Sequence, residues 1–241
     1  MLGVVLLRVA LALPGQVVAP DPPATPVATP AAAVAAGQVY EPASGDLVTV
    51  GDWPPFGRWM LDRHLRPASW LGTLYLGRTL REPINVVIVD SVASSAADAV
   101  ARLFRVCKAA GYEVREGHSG GYRAYIGGAL YAQLPGGRGK AFANRPFELH
   151  NNHGRIFGPV RVREGWLFIG AVSREKLVPF TKAEHQFMSF AQARDHFSRR
   201  LDRATDYKIA GVVNLGNAVV SDPAVTTADH DGKAVLLKAQ K

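Results

Sequence analysis

Cysteine is almost absent from this chain: Cys107 is the only one in 241 residues. A single thiol excludes an intramolecular disulfide framework and any zinc cage built on cysteines, so no disulfide partner is expected. Nucleic-acid signatures are missing too. There is no RNP motif, zinc-finger spacing or arginine-rich tract, and no nucleic acid is favoured as a partner. A phosphate-binding loop is also lacking. Gly136-Gly137-Arg138-Gly139-Lys140 invites the comparison, but Leu134 stands where the leading glycine is required and Ala141 follows the lysine in place of Ser or Thr. The segment reads as a turn between strands. Acidic residues are outnumbered, 20 Asp and Glu against 28 Lys and Arg, for a formal charge of +8. Residues 1–50 carry Arg8 against Asp21, Glu41 and Asp46, or 1 − 3 = −2, which leaves +8 − (−2) = +10 on the remainder. Such a balance suits phosphate groups or acidic lipid headgroups, although many proteins without an anionic partner share it.

What is present divides the chain into four parts. Residues 1–19, MLGVVLLRVALALPGQVVA, read as a signal peptide or membrane anchor, interrupted by Arg8 and Pro14. A stable span needs about 20 apolar residues with few charges, so the anchor is the weaker form of this reading. Residues 20–46 are an Ala/Pro-rich linker that proline keeps extended and alanine leaves with nothing to pack. Residues 47–80 interleave Trp53, Phe56, Trp59, Trp70 and Tyr75 with Arg58, Arg63, Arg66 and Arg78, as an aromatic and basic arm would. That mixture suits a membrane interface, and it equally suits a segment packed over a domain. Residues 81–241 hold the expected folded domain, and the 48% apolar content of the chain is enough to fill its core.

Hydrophobic periodicity gives the domain its class. The β-branched run Ile84–Val89 has the length and composition of a buried strand. Ser95 then caps a helix with Asp98 at its third position; Ala96, Val100, Leu103, Phe104 and Cys107 recur at helical spacing, and Gly111 ends it. Further strands are predicted at 112–115, 122–131, 142–147, 165–173, 207–213, 218–220 and 234–237. A second helix is predicted from Phe190, with Ser189 and Gln192 forming a capping box. The predicted class is α/β or α+β, a single domain with a mixed sheet and two main helices packed on it.

Two polar clusters stand out. At about 100° per residue Phe190, Phe197 and Leu201 share one stripe of the second helix, and Arg194 falls inside that stripe, about 40° from Phe190. A buried guanidinium without a partner costs several kcal/mol, so Arg194 needs a carboxylate, carbonyls or an anionic ligand. Helical geometry directs Asp195 to the outer side, within reach of Arg199. The other cluster is His150-Asn151-Asn152-His153-Gly154-Arg155-Ile156-Phe157. In an extended segment His153 and Arg155 face the same side and Ile156 the opposite one. An imidazole beside a guanidinium can bind an anion, or act as an acid with electrostatic support. The group Thr226, Thr227, Asp229, His230 and Asp231 resembles a cation loop in composition, but turn chemistry explains it more economically. No metal ligands and no cofactor are assigned.

In order and spacing these segments resemble the LssY C-terminal-like domain family over about residues 81–220. The resemblance rests on Pro83-Ile84-Asn85-Val86-Val87, on Ala110-Gly111-Tyr112, and on His153-x-Arg155-Ile156-Phe157. It continues in Trp166-x-x-x-Gly170-Ala171-x-Ser173 and in His185 with Arg194-Asp195. Gly154 stands where the family has an aliphatic residue, and Ala193 where it has a glutamate; such departures weaken a metal site built on the family's carboxylates. The resemblance implies a bacterial, membrane-associated setting, with such domains often fused to DedA-like or lipid-phosphatase-like membrane segments, and it lends no reaction. The leading expectation is therefore an accessory or ligand-binding domain, exported or tethered at the bacterial cell envelope. It would recognise an anionic group such as a lipid phosphate through His153, Arg155, His185 and Arg194. The alternatives are a hydrolase or phosphoryl-transfer enzyme with His153 or His185 as acid/base, and a structural interaction domain.

Overall fold

A computed structural model describes residues 40–137, 139–178 and 185–240. The signal or anchor reading of residues 1–19 and most of the linker lie outside the described residues. In chain order the elements are β1 (Leu47–Val48), β2 (Phe56–Gly57), β3 (Ser69–Tyr75), β4 (Arg78–Arg81), β5 (Val86–Asp90), α1 (Ala96–Ala109), β6 (Glu113–Arg115), β7 (Arg123–Ile126), β8 (Ala129–Ala132), β9 (Ala141–Ala143), β10 (Asn151–Val162), β11 (Gly165–Leu177), β12 (His185–Ser189), α2 (Ala191–Ala204), β13 (Tyr207–Asn214), β14 (Val225–Thr226) and β15 (Lys233–Ala239). Among the described residues, no helix is long and apolar enough to cross a membrane.

The main sheet is mixed, as expected, and both helices pack on it. Its order is β13-β15-β5-β11-β10-β9-β6, with β12 paired to the far end of β11. Only the β15–β5 pair is parallel among the pairings of this sheet. Side chains alternate across it. Val86, Ile88, Ile156, Phe168 and Val172 meet Val100, Leu103 and Cys107 of α1 and Ala193, Phe197 and Leu201 of α2. On the other face Val87, Val89, Phe157, Leu167 and Ile169 meet Phe56, Met60, Ala124 and Ile126, whose segments belong to or adjoin a second sheet of order β1-β2-β7-β8. The aromatic arm is thus part of the core. Trp53, Trp59 and Trp70 are all buried, and the indole of Trp59 donates to Asp46 at 2.8 Å.

The helix signals act where they were predicted. Ser95 Oγ accepts from the Asp98 amide at 3.1 Å, and Asp98 reaches back to the Ser94 amide at 2.9 Å. Ser189 Oγ accepts from the Gln192 amide at 2.8 Å, which supplies half of the second capping box. The other half is missing, because the Gln192 side chain is turned to Arg174. The stretch 218–220 forms no strand. Val219 pairs instead with Thr227, through its amide to the hydroxyl at 2.8 Å and its carbonyl to the Thr227 amide at 3.2 Å.

Candidate functional site

Strands β10 and β11 carry the most unusual group of side chains in the protein. Their antiparallel register sets His153 opposite Ser173 and Asn151 opposite Glu175. Odd-numbered residues of both strands face away from the helices, so Asn151, His153, Arg155, Ser173 and Glu175 stand together on one face, all buried. His185 joins them from β12, opposite Leu177. His118 joins from the loop between β6 and β7, where positive φ at Gly117 and Gly121 lets the chain turn on either side of it. A Cβ at Gly117 would lie 2.8 Å from Cγ of Phe147. Glycine there lets the Phe147 ring close over the group, stacked on His185 with ring centres 3.9 Å apart and edge-on to His118 at 5.6 Å.

Three imidazoles crowd one carboxylate. Glu175 Oε1 lies 3.2 Å from Nδ1 of His185, 3.5 Å from Nδ1 of His153 and 3.9 Å from Nδ1 of His118. One ligating atom from each of His118, His153 and Glu175 falls within 4.8 Å of the other two. The hydrogen bond that Glu175 accepts comes from Asn151 Nδ2, at 2.8 Å. Asn151 Oδ1 faces His153 Nδ1 at 3.2 Å, and the other nitrogen of that ring meets Ser173 Oγ at 3.2 Å. Both ring nitrogens of His185, and Nε2 of His118, are buried with no hydrogen-bond partner.

Burial sets the protonation of the cluster. It presses His118 down to about 4, helped by the Arg155 and His185 charges, and holds His153 well below the usual histidine range with the same sign of help from Arg155. It pushes His185 down as well. Glu175 is driven up to about 7 by loss of water, against the opposing pull of Asn151 and Arg155. The nearby Glu82 is also raised to about 7 by burial, opposed by Arg155. The imidazoles are therefore neutral near pH 7, each with a lone pair, around a carboxyl poised to lose its proton.

Of the four residues expected to bind a ligand, three converge and one does not. His153 and His185 share Glu175, and Arg155 lies on the same face, 2% exposed. Its Nη2 donates to the Ser119 carbonyl at 2.7 Å and its Cζ sits 4.6 Å from the centre of the Tyr122 ring. Arg194 lies apart from the other three. It belongs to α2, which packs on the opposite face of the sheet, and its charge is met by Asp195 at 2.9 Å, by Asp231, and by the Lys233 carbonyl at 3.0 Å. Helical geometry alone points Asp195 away from Arg194, but Asp195 Oδ1 accepts from Arg194 Nε at 2.9 Å, which corrects that expectation. In the acidic turn after β14, Asp229 accepts from the Phe190 amide at 2.9 Å and Asp231 takes Arg194.

Sequence reasoning missed His118 and Glu175. Glu175 was hidden because the strand was ended at Ser173, whereas β11 continues to Leu177 and the alternation Ser173, Glu175 runs on. Only the flanking glycines marked His118. Comparisons with protein-family models, with curated proteins and with solved structures return no match.

Proposed function

We propose that this chain is a metal-binding domain that holds one dication of the zinc class between His118, His153 and Glu175, with His185, 3.2 Å from Glu175 Oε1, drawn in as a fourth donor. The observation that carries the reading is the convergence of three neutral imidazoles on one buried carboxylate oxygen, with ring nitrogens of His118 and His185 left without partners. Hydrogen bonding cannot satisfy this group from within, because neutral imidazoles and a carboxylate supply too few protons for the acceptors present. A dication accepts all four lone pairs at once. With metal–ligand bonds near 2.1 Å, a tetrahedron has edges of about 3.4 Å. The three nitrogen-to-oxygen separations, 3.2, 3.5 and 3.9 Å, bracket that length. Nitrogen donors favour zinc and its first-row neighbours over magnesium or calcium, which take oxygen.

With His185 added to the three residues whose ligating atoms already lie together, four protein donors would close the coordination sphere, which suits a structural or accessory role. The ion would pin β10, β11, β12 and the 117–122 loop to one another. We propose that it does so at the bacterial envelope, the setting implied by the LssY-like motifs. A cation takes the place of the anionic ligand expected at these residues, because the Arg155 guanidinium is buried with Nη2 donating to the Ser119 carbonyl. Arg155 instead limits positive charge on the histidines and so keeps them available as ligands.

One observation favours a second reading, metal-dependent hydrolysis. A cavity of about 440 Å³ lined by Trp70, Leu74, Tyr75, Leu80 and Phe187 reaches His185. If His185 yields its place, a substrate with an apolar portion can approach the ion from that side. Equilibrium dialysis with metal analysis tests the main reading. One zinc per chain is expected, and it should be lost in H118A/H153A. Background zinc in the wild type, or an unchanged content in the double variant, overturns it. Cobalt substitution separates the two roles: azide leaves the spectrum of a closed four-ligand site unchanged and perturbs that of a site with an open position.

A further inference from the structure

The same two strands carry a second polar group on their other face, with the opposite chemistry. Asn152 stands opposite Arg174 in the β10–β11 register, one residue out of phase with His153 and Glu175. There a cavity of about 290 Å³ is lined by Asn144, Arg145, His150, Asn152, Arg174 and His196. Its walls are basic and amide groups with one apolar side chain, Met188, and no carboxylate. Arg174 is fixed by two neutral oxygens, Asn152 Oδ1 at 2.8 Å and Gln192 Oε1 at 2.5 Å. Asn152 is itself held, its amide donating to Asn144 Oδ1 at 2.8 Å. His196 is positioned from below, Nδ1 against the Tyr112 hydroxyl at 2.7 Å.

The charged side chains that line the cavity are all of one sign. Among the described residues neither Arg145 nor Arg174, the two arginines that line the cavity, has a carboxylate within ion-pair distance. After burial, the charges felt by His196 are those of Arg174, Arg200, Arg199 and Arg145, each of which drives its proton away. Two guanidinium groups, Arg145 and Arg174, line the cavity without a carboxylate beside them, and an oxyanion relieves their repulsion while accepting charge-assisted hydrogen bonds. Surface arginines scattered by a basic composition do not require that two of them share a cavity, nor that one of the two be held between two amide oxygens.

We propose that this cavity is a binding site for a phosphate group, of the monoester or inorganic phosphate class, with Arg174 as the fixed donor and Arg145 and His196 beside it. A water occupies about 30 Å³ of liquid, so the cavity accepts a phosphate with part of its ester. The inference does not rest on the metal reading. Asn151 alone links the two sites, lining this cavity while donating to Glu175.

Calorimetric titration of the full-length protein with inorganic phosphate and with glycerol 3-phosphate, each with and without a chelator, tests it. Sedimentation with phosphatidylcholine vesicles containing phosphatidic acid forms a further arm. Saturable binding to a soluble probe that is retained in chelator and weakened at least tenfold in R174Q is the expected result. Binding confined to the vesicles and lost in R174Q also supports the phosphate group and identifies a lipid as its source. R145Q alters an exposed side chain and should weaken binding at least threefold if R174Q fails to fold. No saturable binding to any probe, or binding equally strong in both variants, overturns the proposal: the second result would mark an adventitious ion only.

Discussion

Replacing Glu175 by glutamine should stabilise the metal-free protein and abolish its response to zinc, two effects of opposite sign from one atom. Burial raises the Glu175 carboxyl from 4.5 to about 7. A carboxyl raised on folding favours the folded state fully below its unfolded value, and that contribution disappears as pH rises through the folded value. Above pH 7 the metal-free fold must therefore hold a buried carboxylate. The displacement from 4.5 to about 7, at about 1.4 kcal/mol per pH unit, makes this cost about 3 kcal/mol. Glutamine keeps an oxygen to accept from Asn151 and carries no charge, so E175Q recovers most of that amount at pH 8 and almost none at pH 4.5. For a domain of this size about 3 kcal/mol corresponds to roughly 6–12 °C in Tm. With zinc the order reverses. An ion at a hundredfold excess over its Kd stabilises the wild type by about 2.7 kcal/mol, while the variant has lost its only anionic ligand. Thermal melts at pH 4.5 and 8, in chelator and in zinc, measure all of this. A variant less stable than the wild type at pH 8 in chelator refutes the electrostatic reasoning, and an undiminished zinc shift refutes the ligand assignment.

Three further outcomes follow from contacts elsewhere. A Cβ on Gly154 would lie 2.2 Å from Val172 Cγ1, so G154A should cost about 1–3 kcal/mol by overpacking, read from chemical denaturation. Asp90 is fully buried and accepts from the Val92 and Ala93 amides at 2.9 and 3.0 Å, from Arg102 Nε at 2.8 Å and from the Tyr207 hydroxyl at 2.5 Å; D90N should cost about 3–5 kcal/mol, and a loss under 1 kcal/mol in urea unfolding would count against that network. His230, buried with Nε2 2.7 Å from Asn217 Oδ1, is pressed from 6.5 down to about 4, burial being the main cause. A depressed histidine supports the fold fully above its unfolded value and loses that support as pH falls from about 6.5 to about 4, so H230Q should flatten the wild-type acid destabilisation by about 3 kcal/mol in unfolding at pH 7 and 4 with chelator present.

Gly154 also shows how local sequence and tertiary packing meet. Read along the chain, it is a glycine within a strand, with no side chain of its own to pack. In the sheet it lies between His153 and Arg155 on the opposite face, where Val172 of β11 and the Ala171 carbonyl leave no space for a side chain. The alternation that sent His153 and Arg155 to one side was legible from spacing alone. What occupied the other side was not.

By itself the sequence determined the elements with strong local signals. These are the buried strand from Val86, both capped helices, the hydrophobic stripe of α2, the shared face of His153 and Arg155, and the mixed-sheet class they compose. Each depends on periods of about 2 or 3.6 residues and on side-chain-to-backbone bonds a few positions apart, so each is written in neighbouring letters. Only the tertiary structure decided which polar groups meet. Arg194 looked unsatisfied until Asp231, 37 residues on, came to meet it. His118 and Glu175 joined His153 and His185 through a register between β10 and β11, an edge strand and a glycine-flanked loop. Those contacts are set by how two layers close on one another, and no local period encodes them.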